Sequence, residues 1–267
     1  MKQAILLFIL SLLCFFNNLT ADDFKFSSEY LEYDVYWKFL NLGKIRVWTK
    51  VEGDSIYSRI HVESNPYIFF VNVNYTFESK FHKENPFNSY LNVYETKNGL
   101  PLKTTFLRKE NEIVAKQFDI RNGTVIGQKS IPYPDIYYHG ITAFFVARKL
   151  CGAGVVVYLP LLFATEEKLE RPPFIIKVEK VRFDFLEQKE DVKISAFDSE
   201  VQTIKFNGYA SFVSKELAGI TGEFSGWLSD DWARVPIKAT FNTFLGIVRL
   251  ELSKWEKDKW KPPLKTN

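Results

Sequence analysis

The stretch Gly222-Glu223-Phe224-Ser225-Gly226-Trp227-Leu228-Ser229-Asp230-Asp231-Trp232-Ala233-Arg234-Val235-Pro236-Ile237-Lys238-Ala239 reads as strand, tight turn, strand. Ser229-Asp230-Asp231 is the turn, because short polar side chains bond the local backbone and tolerate turn geometry. Asp230 is expected to bond the turn amides, and one of the two aspartates to meet Arg234. Trp227 and Leu228 end the first strand, and Arg234 to Phe241 begins the second. Pro236 cannot donate a ladder hydrogen bond, which places it on an edge strand or at a bulge. Acid–base chemistry needs carboxyls facing each other across a cleft, whereas neighbours in a tight turn splay apart. Trp227, Ser229, Asp230, Arg234 and Pro236 are therefore read as a structural motif.

Working outward, the same period-two pattern recurs. Leu31, Tyr33, Val35, Trp37 and Phe39 alternate with Glu32, Asp34, Tyr36 and Lys38, the signature of a half-buried strand. Asn41-Leu42-Gly43 turns the chain into Lys44 to Val51, and Glu52 to Ser55 turns it into a strand carrying Ile60 and Val62. This is an antiparallel meander with one apolar face. Pro66 to Val71 is apolar without alternation, a short helix or a tucked loop. Further strands are expected over 75–81, 88–95, 102–109 and 112–120, with Arg121-Asn122-Gly123 as a hairpin signal. One helix is expected from Ile136 to Leu150, with Asp135 as N-cap and Gly152 as the stop. It is apolar round most of its girth, which makes it a buried plug. Val155 to Leu162 is a continuous apolar run, consistent with burial on both faces. Strands are expected again near 174–185, 192–197, 200–206, 209–213 and 247–255.

The start has the layout of a secretory signal peptide over residues 1–21. Met1-Lys2-Gln3 is followed by apolar Ala4 to Phe16 and a small Ala21. The apolar run is short of the roughly 20 residues that span a bilayer as a helix. Leu13 before Cys14 is the wrong residue for a lipid-modified cysteine. With Cys14 removed, Cys151 is the lone thiol, so no internal disulfide is expected and the core alone must hold the fold. Apolar residues at 46% and aromatics at 16% supply such a core. The exported β domain is assigned to 22–256, as one unit or as halves 22–164 and 174–256 about the charged segment 165–173. Residues 257–267 read as a flexible basic tail. A formal charge of +3, with lysines interleaved among acids, gives no nucleic-acid footprint.

The chain resembles a family of exported bacterial proteins, domain of unknown function 3108. The resemblance rests on the opening Leu31 to Trp37 with Gly43 behind it, on Tyr75-Thr76-Phe77-Glu78-Ser79, and on Phe144 to Arg148. It rests most specifically on Gly226 to Ile237 followed by Gly246-Ile247-Val248. It implies an exported, mainly β protein of the cell envelope and supplies no catalytic residues.

The fold expected is mainly β: a large curved antiparallel sheet forming an open or half-barrel, with one buried helix near residues 136–150. Enzyme motifs are missing from the sequence: there is no His-Glu-x-x-His, Gly-x-Ser-x-Gly, phosphate loop or Cys-x-x-Cys. His61, His82 and His139 are far apart, and Cys151 has no adjacent base, so no catalytic residue, metal or cofactor is assigned. The remaining candidate is non-enzymatic binding of an apolar ligand, a lipid or the acyl part of a lipoprotein, in the trough of the sheet. Leu31, Tyr33, Trp37, Phe77, Phe81, Phe144 and Phe145 are its candidate liners. The alternatives are a solid core made by the same side chains in a structural or interaction protein of the envelope, and a hydrolase or transferase of unfamiliar type. The expected location is the periplasm or the periplasmic face of the outer membrane.

Overall fold

The computed structural model describes residues 26–69, 72–97, 99–166, 174–214, 220–243 and 246–265. The expected leader 1–21 with Cys14, most of the expected hinge and the final residues 266–267 lie outside the described residues. In chain order the strands are β1 (Ser28–Trp37), β2 (Leu40–Glu52), β3 (Ser55–Ser64), β4 (Asn74–His82), β5 (Leu91–Lys97), β6 (Leu100–Lys109), β7 (Glu112–Asp119) and β8 (Val125–Pro132). Helix α1 (Gly140–Leu150) follows, then β9 (Val155–Glu166), β10 (Phe174–Val192), β11 (Val201–Ser214), β12 (Ile220–Ser229), β13 (Pro236–Thr243) and β14 (Gly246–Lys257). All belong to one 14-stranded sheet ordered β8-β7-β6-β5-β4-β3-β2-β1-β14-β13-β12-β11-β10-β9. Every sheet pairing is antiparallel, and β1 against β14 joins the two halves considered from the sequence. β8 and β9 are the free edges, so the sheet curls without closing.

Alternation becomes a face through register. Leu31, Val47, Ile60, Phe77, Val93, Thr104 and Gln117 lie opposite one another in succession from β1 to β7, one row of the concave side. The convex side carries charges: Glu32 meets Lys44 at 2.5 Å and Arg46 at 3.0 Å. Register shifts at Glu32/Tyr33, Val35/Tyr36 and Trp227/Leu228 bend the sheet. Pro236 sits at the last of these, opposite Leu228 in the interior strand β13, so the bulge accommodates it.

Several expectations need correction. β11 is continuous where two strands were expected over 200–206 and 209–213. Gly208 interrupts the apolar pattern there only because the Phe224 ring occupies the space a Cβ would fill, and Gly226 is covered by Phe206 in the same way. No strand covers 193–200; Val192 ends β10 and a connection with buried Ile194 follows. β9 is an edge, with Val156 and Tyr158 exposed, and is not buried on both faces. The helix starts at Gly140 and its cap is His139, not Asp135. The segment 257–265, expected as a flexible tail, is docked. Trp260 is buried in the core, Gln202 N–H donates to Pro263 O, and Lys265 pairs with Asp191 and Glu200. One indole anchors what lysine composition alone made look solvated.

Candidate functional site

Antiparallel alternation sends the turns to two ends of the sheet. One end holds α1 and the connections 133–139, 193–200 and 230–235. The other holds the turns after β1, β3, β5 and β7 and the β13–β14 turn.

α1 is fixed at both termini. At its start His139 and Thr142 form a capping box: the Thr142 amide donates to His139 Nδ1 and the His139 amide to Thr142 Oγ1. His139 Nε2 lies 3.1 Å from Ser79 Oγ and 3.0 Å from Ser89 Oγ. Both hydroxyls already donate to carbonyls, of Tyr90 and Pro86. The hydrogen therefore sits on Nε2 of a neutral ring. Burial pushes this imidazole down to about 3. At the other terminus Arg148 donates to both oxygens of Glu29 and to Ala233 O, and Lys257 Nζ adds a third cation-to-carboxylate bond to Glu29 at 2.7 Å. Burial alone would raise the Glu29 carboxyl, but Arg148 and then Lys257 outweigh it and hold it below its usual range. Burial lowers the Lys257 ammonium to about 8.

The turn at 229–235 divides its labour differently from expectation. Asp231, not Asp230, bonds the turn: its Oδ1 accepts from the Ala233 and Arg234 amides and from Ser229 Oγ, and its Oδ2 from Trp260 Nε1. Asp230 pairs with Arg234 at 3.1 Å and Lys189 at 2.9 Å. Trp227 lies under the Lys205 and Lys238 ammoniums.

Above α1 the curled sheet encloses a cavity of about 990 Å³. Its floor is Ile141, Phe144 and Ala147 of α1, and its wall runs from Tyr33 and Phe77 round to Phe206 and Leu250. Of the candidate liners, Tyr33, Phe77 and Phe144 stand on this cavity. Leu31 is wholly buried in the core around Leu252, and Phe81 packs on Phe145 at 5.1 Å beneath the floor. Trp37 lies at the far end of β1, near Gly246. The sequence reading missed the wall contributed by β9 to β13, including Leu162, Phe163, Phe206 and Phe241. The signal was present as inward aromatics in the second half. The cavity holds few polar groups. Glu95, Lys97, Thr104, Gln117 and Lys238 are on its lining, whereas Tyr33 Oη is itself sealed in the core with no partner among the described residues.

The three histidines make separate local contacts. His61 contacts Thr76 and Glu63, His82 accepts from the Glu84 amide, and His139 serves the helix cap. Burial pushes the Cys151 thiol up to about 12, far from a thiolate. Among the described residues no group of three or more His, Cys, Asp and Glu side chains is placed to hold a metal.

The family described as Protein of unknown function (DUF3108) matches residues 32–253. The chain belongs to the DUF3108 family. Among solved structures, this DUF3108 chain is similar to a beta-barrel-like protein of domain of unknown function DUF1849 from Brucella abortus. The TM-score is 0.54 at 8% identity, covering 88% of this chain and 99% of that one. The likeness is one of fold. A Mycobacterium tuberculosis lipoprotein, LppX, aligns at 13% identity over 90% of this chain and 92% of its own, but its TM-score of 0.24 is too loose to bear on the fold. No curated protein matches the chain. No helix among the described residues is long and apolar enough to cross a membrane.

Proposed function

We propose that this DUF3108 protein is a non-enzymatic, exported binder of an apolar ligand, with one or more acyl chains housed in the cavity above α1. The observation that carries this reading is the cavity itself. At about 990 Å³ it is at the upper end of ordinary ligand sites, and its lining is dominated by aliphatic and aromatic side chains with a few polar groups. A filled core would not leave such a volume, since protein interiors pack to the density of organic crystals. An export leader at residues 1–21 fits an envelope lipid or lipoprotein acyl chain as the ligand.

The test is native mass spectrometry and solvent extraction of protein purified without detergent. A stoichiometric lipid supports the reading. A clean extract, together with no binding of a fluorescent fatty acid, refutes it.

A further inference from the structure

The end of the barrel away from α1 carries exposed apolar side chains where turns usually carry polar ones. Phe39, in the β1–β2 turn, is 85% exposed. Tyr67 and Phe69, in the β3–β4 connection, are 90% and 94% exposed, and Ile247, at the start of β14, is 63% exposed. These strands are neighbours in the order β4-β3-β2-β1-β14, and all three turns fall at one end, so the four side chains form one rim.

The cavity reaches the same end of the sheet, across from the rim, on the β5–β6 and β8–β10 side. Its lining climbs from the α1 floor to the turn ends of the strands: Lys97 and Leu100 beside the β5–β6 turn, Ile126 at the top of β8, and Ala164 and Phe174 at the tops of β9 and β10. The opposite end is stopped by α1.

Charge supports one occupant. Among the described residues of these three turns, Lys38 is the charged side chain and no carboxylate is present. Asn65 to Val73 and Thr243 to Ile247 contain no charged residue at all. Aromatic tips with a cation and no anion suit the boundary between headgroups and acyl chains, where rings bury and lysine meets anionic phosphate.

We propose that this rim docks on a lipid surface, setting the cavity mouth against the bilayer so that an acyl chain passes between them without crossing water. The docking role rests on the cavity being the ligand site described above.

The experiment is co-sedimentation of the protein with vesicles of phosphatidylcholine containing phosphatidylglycerol. It compares wild type, a combined Phe39→Ser, Tyr67→Ser, Phe69→Ser variant, and Tyr158→Ser, which removes an exposed aromatic near the opposite end of edge strand β9. The rim variant should lose vesicle binding by at least about tenfold, and Tyr158→Ser should keep it. Lys38→Glu should weaken binding to these vesicles more than to pure phosphatidylcholine. Binding of a fluorescent fatty acid in vesicle-free buffer should survive in the rim variant, which also shows that it is folded. Absence of vesicle binding by wild type, or equal loss in Tyr158→Ser, overturns the docking role and leaves the cavity reading standing. Vesicle binding by a wild type that takes up no fatty acid overturns the cavity reading, and the transfer role with it. Rim-dependent dimers in place of vesicle binding assign the rim to a second copy and overturn the proposal.

Discussion

Arg148 on α1 closes a bidentate ion pair with Glu29 at the start of β1, at 2.6 and 3.0 Å, with both side chains removed from water. Lys257 at the end of β14 bonds the same carboxylate, so two cations share one anion. This cluster ties the helix to the two strands that join the halves of the sheet. Glu29→Gln leaves both cations buried without their carboxylate and should cost roughly 3–5 kcal/mol. Arg148→Met still leaves Glu29 paired with Lys257 and should cost less. Urea unfolding of both variants gives the order, and a larger loss for Arg148→Met would show that the helix contact, not the charge balance, matters most.

Asp231 and Asp230 are adjacent and chemically identical, yet the turn depends on one of them. Asp231→Ala strips acceptors from two amides, a serine hydroxyl and the Trp260 indole. It should destabilise by about 1–3 kcal/mol and loosen the docked C-terminal segment. Asp230→Ala removes half-exposed ion pairs and should cost about 0–1 kcal/mol. Denaturation midpoints and limited proteolysis after Lys257 distinguish the two.

His139 makes stability depend on pH. In the fold its imidazole stays neutral down to about 3, whereas the unfolded side chain protonates near 6.5. Between those values the unfolded state binds more protons, so stability rises with pH. The contribution is therefore full above pH 6.5 and is lost as pH falls toward 3. A proton on Nδ1 also removes the acceptor for the Thr142 amide and opens the helix cap. His139→Asn, which keeps a capping oxygen, should flatten the acid limb of a thermal-melting pH series over that window. An unchanged limb would assign acid sensitivity elsewhere.

Ala239 on β13 lines the cavity. Ala239→Trp should fill part of that space and cut fatty-acid affinity by at least about tenfold, while the melting temperature holds or rises, because filling a void adds packing contacts. Unchanged affinity in Ala239→Trp would place the ligand elsewhere.

The β architecture was legible because a half-buried strand must alternate, and β1 to β4 do so residue by residue. β8 escaped notice because an edge strand exposed along much of its length has no apolar face to display. The docked tail escaped because one anchoring ring, Trp260, is outweighed in composition by the lysines around it.

Local sequence determined which side chains of this chain point inward, since the pleat makes that a matter of parity. It could not determine depth. Phe77 and Phe81 share a strand and a face, yet one lines the cavity while the other is sealed under α1 against Phe145. Adjacent Phe144 and Phe145 divide in the same way. Only the tertiary structure decides this, because the height at which the helix crosses the barrel is set by Glu29, Ser79 and Ser89, residues from strands and a loop far along the chain from the helix they hold.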